Sequence, residues 1–154
     1  MMSDIINIGN PAIAALVRSK ISQAESYKIQ FSCSFTGLDM REMGVKTLDV
    51  NRMLGNLIDN AFDEVLKYEE DQRHVTLIGK QSERCLEFTI TNTCEQAEEV
   101  IRHPIFEAGY STKQEDHQGL GLSIVKSVAE HYKGTITVAA EPAGKLTFVL
   151  RIPI

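Results

Sequence analysis

Tryptophan is absent from the 154 residues, and the other aromatics are few, four Tyr and six Phe. A core has to be assembled chiefly from aliphatic side chains. No apolar run approaches the roughly 20 residues needed to span a bilayer, so the chain as it stands is expected to be soluble. Cysteine is scarce as well. Cys33, Cys85 and Cys94 form no CxxC pair, and their odd number without a signal-peptide pattern excludes a disulfide framework and argues against a thiolate metal site. They read as two strand thiols and one loop thiol in a reducing interior. Clustered positive charge is also missing: the net charge is −5 and the Lys and Arg residues are dispersed, which speaks against a nucleic-acid partner. A small cradle of backbone amides can still hold a phosphate on an acidic protein.

What is present fits one domain. A hydrophobic content of 43% with 24% charged residues is enough for a single buried core at this length. The opening Met1-Met2-Ser3-Asp4 reads as an initiator added to a piece of something longer. From Pro11 to about Ala24, Ile13, Leu16, Val17 and Ile21 recur at helical spacing behind Asn10 as a cap and Pro11 at the first helical position. Lys28 to Phe35 alternates, with Ile29, Phe31, Cys33 and Phe35 on one face of a strand. Asp49 to about Tyr68 predicts a second helix, capped by Asp49, with a broad apolar stripe from Val50 to Val65. A hairpin is expected from His74–Lys80 and Cys85–Thr91, and a second from Thr135–Ala140 and Leu146–Ile152 turning through Glu141-Pro142-Ala143-Gly144. Between them an irregular polar stretch, 92–118, precedes a helix from Gly119 to Tyr132 that Gly134 stops. This order predicts an α/β two-layer sandwich, a mixed and mostly antiparallel sheet with helices on one face.

Three segments carry chemistry. Asn56 and Asn60 are four residues apart on the second helix, so their amides project from one face toward a common ligand. An Asn carbonyl oxygen is a hard neutral ligand suited to Mg²⁺, which completes its shell from waters and phosphates. Gln118-Gly119-Leu120-Gly121-Leu122-Ser123 lies where a loop enters a helix; glycines permit close backbone approach there, and the helix N-terminus favours a polyphosphate. Ile105 to Lys113 combines an apolar anchor at Phe106, a hinge at Gly109 and a hydroxyl-rich cationic tip at Ser111, Thr112 and Lys113, the ingredients of a lid over an anion. Taken singly, each segment also fits ordinary polar surface, turn chemistry or a solvated loop.

Their order, Asn56-Leu57-Ile58-Asp59-Asn60-Ala61, then Ile105-Phe106-Glu107 with Ser111-Thr112-Lys113, then Gly119-Leu120-Gly121-Leu122-Ser123-Ile124-Val125, resembles the N, F and G2 boxes of the GHKL superfamily in its histidine-kinase branch. The resemblance runs from about Lys28 to Ile152 and implies the Bergerat fold, with ATP and Mg²⁺ held between helices on one side of the sheet. It implies a catalytic, ATP-binding domain spanning 28–154, preceded by 1–27 as a linker or the end of a dimerisation hairpin. By the same resemblance Asn60 is the metal ligand and, with Asn56, the catalytic pair. Asp63, Lys67, Asn92, Phe106, Ser111, Thr112, Lys113, Gly119, Leu120, Gly121 and Leu122 join Asn60 in holding the nucleotide, Lys67 as a phosphate contact and Gly119 with Gly121 as the phosphate turn. The implied partners are a phosphoacceptor histidine domain in the parent protein and, indirectly, a response regulator. The isolated domain is expected to be a cytoplasmic monomer and the parent a membrane-anchored homodimer.

Two departures stand out. Where the family's G1 box usually reads Asp-x-Gly-x-Gly, this chain has Thr89-Ile90-Thr91-Asn92-Thr93-Cys94, so that only the Asn92 carboxamide could accept from an adenine amino group. The form Asn-x-Cys is similar to that of peptide-quorum and dicarboxylate-type sensor kinases. The second departure is His117, which stands where a further glycine is common. Related ATP hydrolases carry a Glu at position 56, whereas Asn56 has no basicity to activate water, so efficient hydrolysis is not expected. None of His74, His103, His117 and His131 has the setting of a phosphoacceptor. Two other readings stay open: an interaction module that kept the fold and lost nucleotide, and a serine kinase of the anti-sigma type.

Overall fold

The computed structural model describes residues 8–38, 44–108 and 120–154. The first helix, α1 (Pro11–Ser26), starts where the sequence signals it: the Asn10 side-chain oxygen accepts from the amides of Ala12 and Ile13 at 2.9 and 3.2 Å, and Pro11 occupies the first turn. Its apolar face buries Ile13, Ala14, Val17 and Ala24. Strand β1 (Gln30–Thr36) alternates as expected, turning Phe31, Cys33 and Phe35 inward.

Helix α2 (Thr47–Val65) begins two residues ahead of the anticipated cap. Asp49 lies in its first turn, and no side chain at the preceding Lys46 caps the helix. The work falls instead to Tyr132, 83 residues away, whose hydroxyl accepts from the Lys46 amide at 3.3 Å and donates to the Asp49 carboxylate. That hydrogen bond to Asp49 raises the Tyr132 hydroxyl above its ordinary pKa. The negative charge of Asp49 in the first turn also suits the positive end of the helix dipole.

After a single 3₁₀ turn at Glu70–Gln72 the chain forms β2 (His74–Gln81) and β3 (Cys85–Thr93). Among its described residues, the stretch expected to be irregular contains a short helix, α3 (Ala97–Val100), anchored by the buried Ala97. Helix α4 (Leu120–His131), β4 (Thr135–Glu141) and β5 (Lys145–Pro153) complete the order. The five strands lie in the order β1-β2-β3-β5-β4. Among the described strands β1 and β2 alone pair in parallel, and a parallel pair needs a crossover, which α2 supplies. The remaining pairings are antiparallel, with Leu77 opposite Ile90 and Ile90 opposite Phe148 setting the register of the core rows.

Phe31, Leu77, Phe88, Ile90, Phe148 and Leu150 form the inner face of the sheet, onto which the helices pack, so the molecule is a two-layer sandwich as anticipated. With no tryptophan available, Phe62 of α2 stacks edge-on against Phe31 at 5.2 Å between centroids. Helices α1 and α2 are pinned side by side by Asn10 to Thr47 at 2.8 Å and Lys20 to Asp59 at 2.6 Å. The opposite face of the sheet is polar; there Arg151 and Glu87, directly paired across β5 and β3, form an ion pair at 2.7 Å.

Candidate nucleotide site

The apolar stripe of α2 points Val50, Met53, Leu57, Ile58, Ala61 and Val65 into the core, which leaves Asn56, Asn60, Asp63 and Glu64 half-buried along its flank. The amide group of Asn56 donates to the Arg52 carbonyl at 2.8 Å, so its side-chain oxygen is turned outward from its own helix. There it meets α4. A Cβ added at Gly121 would lie 3.2 Å from that oxygen, closer than side chains normally approach. Absence of a side chain at Gly121 therefore lets the first turn of α4 close on α2, and brings the segment of Asn56 and the glycine segment at Gly121 together. Leu122 packs against the core beside it. Ser111, Thr112, Lys113 and Gly119 lie outside the described residues, as does the side chain of Leu120.

A second cluster forms at the far end of α2, since Glu64 follows Asn56 by about two turns, roughly 12 Å along the axis. Asn92, near the end of β3, faces the helices and is 1% exposed. Its amide nitrogen donates to the Thr93 carbonyl at 2.9 Å, while its side-chain oxygen is buried without a partner. Flipping the amide would set oxygen against oxygen, so the donor toward Thr93 fixes the acceptor as the open atom. An unpaired buried acceptor costs about 1–3 kcal/mol until a donor satisfies it. It is suited to a donor arriving from outside the chain.

The loop that follows Asn92 is tied down on two sides. The Cys94 amide donates to the Gly144 carbonyl at 2.7 Å, and the Glu95 amide donates to the Tyr68 hydroxyl at 2.9 Å. The Cys94 thiol is buried near Glu64; burial first and the Glu64 charge second push it up to about 11. Glu64 is also the acceptor for Tyr68 at 2.6 Å and for Lys67 at 2.8 Å. Burial and the bond to Glu64 raise the Tyr68 hydroxyl well above its ordinary value. Lys67 itself is beyond the end of α2, exposed and paired with Glu64. Phe106 does what an anchor should: its half-buried ring stands edge-on to Phe148 of β5 at 6.0 Å, with Ile105 buried beside it.

Sequence reasoning singled out Asn56, Gly121, Asn92 and Phe106 but passed over Glu64, Tyr68, Cys94 and Gly144. The i,i+4 spacing of Glu64 and Tyr68 was visible; the loop amide that gives the pair its purpose was not, because it comes from 27 residues on. Among the described residues no three His, Cys, Asp or Glu side chains converge on a position that could hold a metal ion. No described helix is long and apolar enough to cross a membrane.

Residues 45–154 match the GHKL domain family. A probable C4-dicarboxylate sensor kinase of Halalkalibacterium halodurans is 28% identical over 148 residues, which cover 95% of this chain and 28% of the relative. Sensor protein CitS of the same organism is 28% identical over 154 residues, 97% of this chain and 28% of the relative. Sensor histidine kinase DpiB of Escherichia coli is 26% identical over 146 residues, 92% of this chain and 26% of the relative. The chain thus spans less than a third of these relatives' length. Among solved structures, the catalytic domain of histidine kinase ThkA superposes with a TM-score of 0.73 at 19% identity, covering 92% of this chain and 93% of that one. The mycobacterial sensor histidine kinase MprB gives 0.69 at 20% identity, with 92% and 93% covered. At these identities the likeness is one of fold.

Proposed function

Because the chain belongs to the GHKL domain family, we propose that it is the ATP-binding catalytic domain of a two-component sensor histidine kinase, presenting the terminal phosphate of Mg²⁺·ATP to a histidine elsewhere in the parent protein. The observation that carries this reading is the close approach of Gly121, in the first turn of α4, to the Asn56 side chain on the polar flank of α2. Whether the residues fit a nucleotide is tested independently by Asn92, whose buried, unpartnered oxygen has the polarity to accept from an adenine amino group.

On this reading the base sits at the Asn92 end of α2 and the phosphates at the Asn56 end. Asn60, one turn past Asn56, would offer the metal ion its carbonyl oxygen, a hard ligand suited to Mg²⁺. Asp63 lies on the same flank of α2, near the middle of the site. The amides of Gly121 and Leu122, with the positive end of the α4 dipole, receive phosphate oxygens, and by the family resemblance Gly119 and Leu120 belong to the same phosphate site. Phe106, Ser111, Thr112 and Lys113 are assigned to nucleotide binding by the family resemblance. Lys67, paired with Glu64 at the base end of α2, is not assigned to the phosphates on this reading. Bound Mg²⁺·ATP supplies the activated phosphoryl group; the chain contributes orientation and charge neutralisation, which is most of what phosphoryl transfer requires. Asn56 cannot take a proton from water, so transfer is favoured over hydrolysis.

Residues 1–27 are read as the linker from a dimerisation hairpin, the parent as a membrane-anchored homodimer with a response regulator downstream, and the isolated domain as a cytoplasmic monomer. The test is phosphotransfer: incubation with labelled ATP, Mg²⁺ and a phosphoacceptor hairpin from the parent gene. Acid-labile, base-stable label on a histidine is expected. Acid-stable label on serine would move the chain to the anti-sigma type, and no nucleotide binding at all would leave an interaction module.

A further inference from the structure

We propose that Tyr68 is a positioning residue for base recognition: bridging Glu64 and the Glu95 amide, it holds the loop after β3 so that the Asn92 oxygen selects a 6-amino over a 6-oxo purine. The proposal rests on the reading of Asn92 as the base acceptor and adds what sets that acceptor in place. From Asn92 to Gln96 the chain has no glycine, yet it leaves the sheet and turns into α3, with the Ala97 amide donating back to the Cys94 carbonyl at 3.2 Å. A turn made from side-chain-bearing residues needs outside anchors. One is the Gly144 carbonyl on the Cys94 amide at 2.7 Å, and the other is the Tyr68 hydroxyl on the Glu95 amide at 2.9 Å.

Tyr68 is suited to this by having both a donor and an acceptor on one atom. It gives its proton to Glu64 at 2.6 Å and takes one from the Glu95 amide, linking the loop backbone to the rigid helix α2. The second Glu64 oxygen holds Lys67 at 2.8 Å, so the carboxylate is fixed at both oxygens. The raised pKa keeps the hydroxyl protonated and donating throughout the physiological range. The backbone at Tyr68 has its own anchor: Arg73 donates to the Tyr68 carbonyl at 2.9 Å and to the Tyr27 carbonyl at 2.8 Å. Tyr68→Phe therefore removes the hydroxyl while its ring and main chain keep their support. Its effect should travel to Asn92, two residues from the Cys94–Glu95 peptide, and no further. A 6-oxo base presents oxygen to the Asn92 oxygen and is rejected only while that atom is held in place.

The experiment is calorimetric titration of the wild-type chain, Tyr68→Phe, Glu64→Ala and Glu64→Gln with Mg²⁺·ATP, Mg²⁺·ITP and Mg²⁺·tripolyphosphate. Wild type is expected to prefer ATP to ITP by about tenfold or more. Tyr68→Phe and Glu64→Ala should lose most of that preference by weakening ATP alone, with ITP and tripolyphosphate unchanged. Glu64→Gln, whose amide oxygen still accepts from Tyr68, should keep it. A tyrosine that merely supported the fold would weaken all three ligands together. An ATP to ITP ratio that survives in Tyr68→Phe, or in Glu64→Ala if the first variant does not fold, overturns the clamp. A wild-type chain with no preference overturns the reading of Asn92 and the clamp with it.

Discussion

Replacing Asn92 with Val separates what this residue does for the fold from what it does for a ligand. Val is close to Asn in volume, suits a strand and has no polar atoms. Removing the unpartnered oxygen should return about 1–3 kcal/mol to the unliganded protein, and losing the 2.9 Å bond to the Thr93 carbonyl should cost about 1 kcal/mol. The net is a chain between unchanged and about 2 kcal/mol more stable. The same substitution deletes the only acceptor proposed for the base, worth about 1.5–3 kcal/mol at a buried site, or about 10–100-fold in affinity. Stability and affinity should therefore move in opposite directions, a pattern that an ordinary structural Asn does not produce. Urea unfolding without nucleotide gives the first quantity and titration with Mg²⁺·ATP the second. A variant that is less stable by 2 kcal/mol or so and still binds ATP as before would refute the reasoning.

Three further expectations follow from the same contacts. Gly121→Ala gains helix propensity of about 0.5–1 kcal/mol but presses a methyl to 3.2 Å from the Asn56 oxygen; unfolding free energy should change by less than about 1 kcal/mol while ATP affinity falls, and unaltered affinity would argue against a phosphate turn there. Gly134→Ala should destabilise by about 2–4 kcal/mol in urea, because the new methyl meets the Arg151 carbonyl and lies 2.7 Å from Ile152 in a packed seam. Cys94, raised to about 11 from 9.0 by burial and Glu64, stays protonated in the folded chain after the unfolded chain has ionised; its contribution is intact below about pH 9 and is lost as pH rises through 11, a fall of up to about 2 kcal/mol that Cys94→Ala should abolish.

Much of the architecture could be read before any coordinates, and the reason is periodicity. Phe31, Cys33 and Phe35 alternate, Val50 to Val65 recur at helical spacing, and each pattern reports which side of one element is buried. Features that depend on two distant elements were not legible. Asp49 looked like a cap because Asp is a good one; it proved to be a first-turn residue held by Tyr132 from the end of α4. The loop after Asn92 looked deprived of its glycines, and nothing local told that Gly144 and Tyr68 would hold it. At the site the same division applies. The Asn pair and the glycine turn were visible as spacings, whereas the approach of Gly121 to Asn56 and the open oxygen of Asn92 exist only after packing.

The central claim is that the flank of α2 carries a metal-bound triphosphate. Titration of the wild-type chain and Asn60→Ala with ATP, each in Mg²⁺ and in EDTA, addresses it most directly. Wild type should bind ATP in Mg²⁺ and weaken by about tenfold in EDTA, the size of one contact to a charged group of about 1.5 kcal/mol; Asn60→Ala should bind weakly and alike in both. Equal affinity and equal metal dependence in the two proteins would contradict the account.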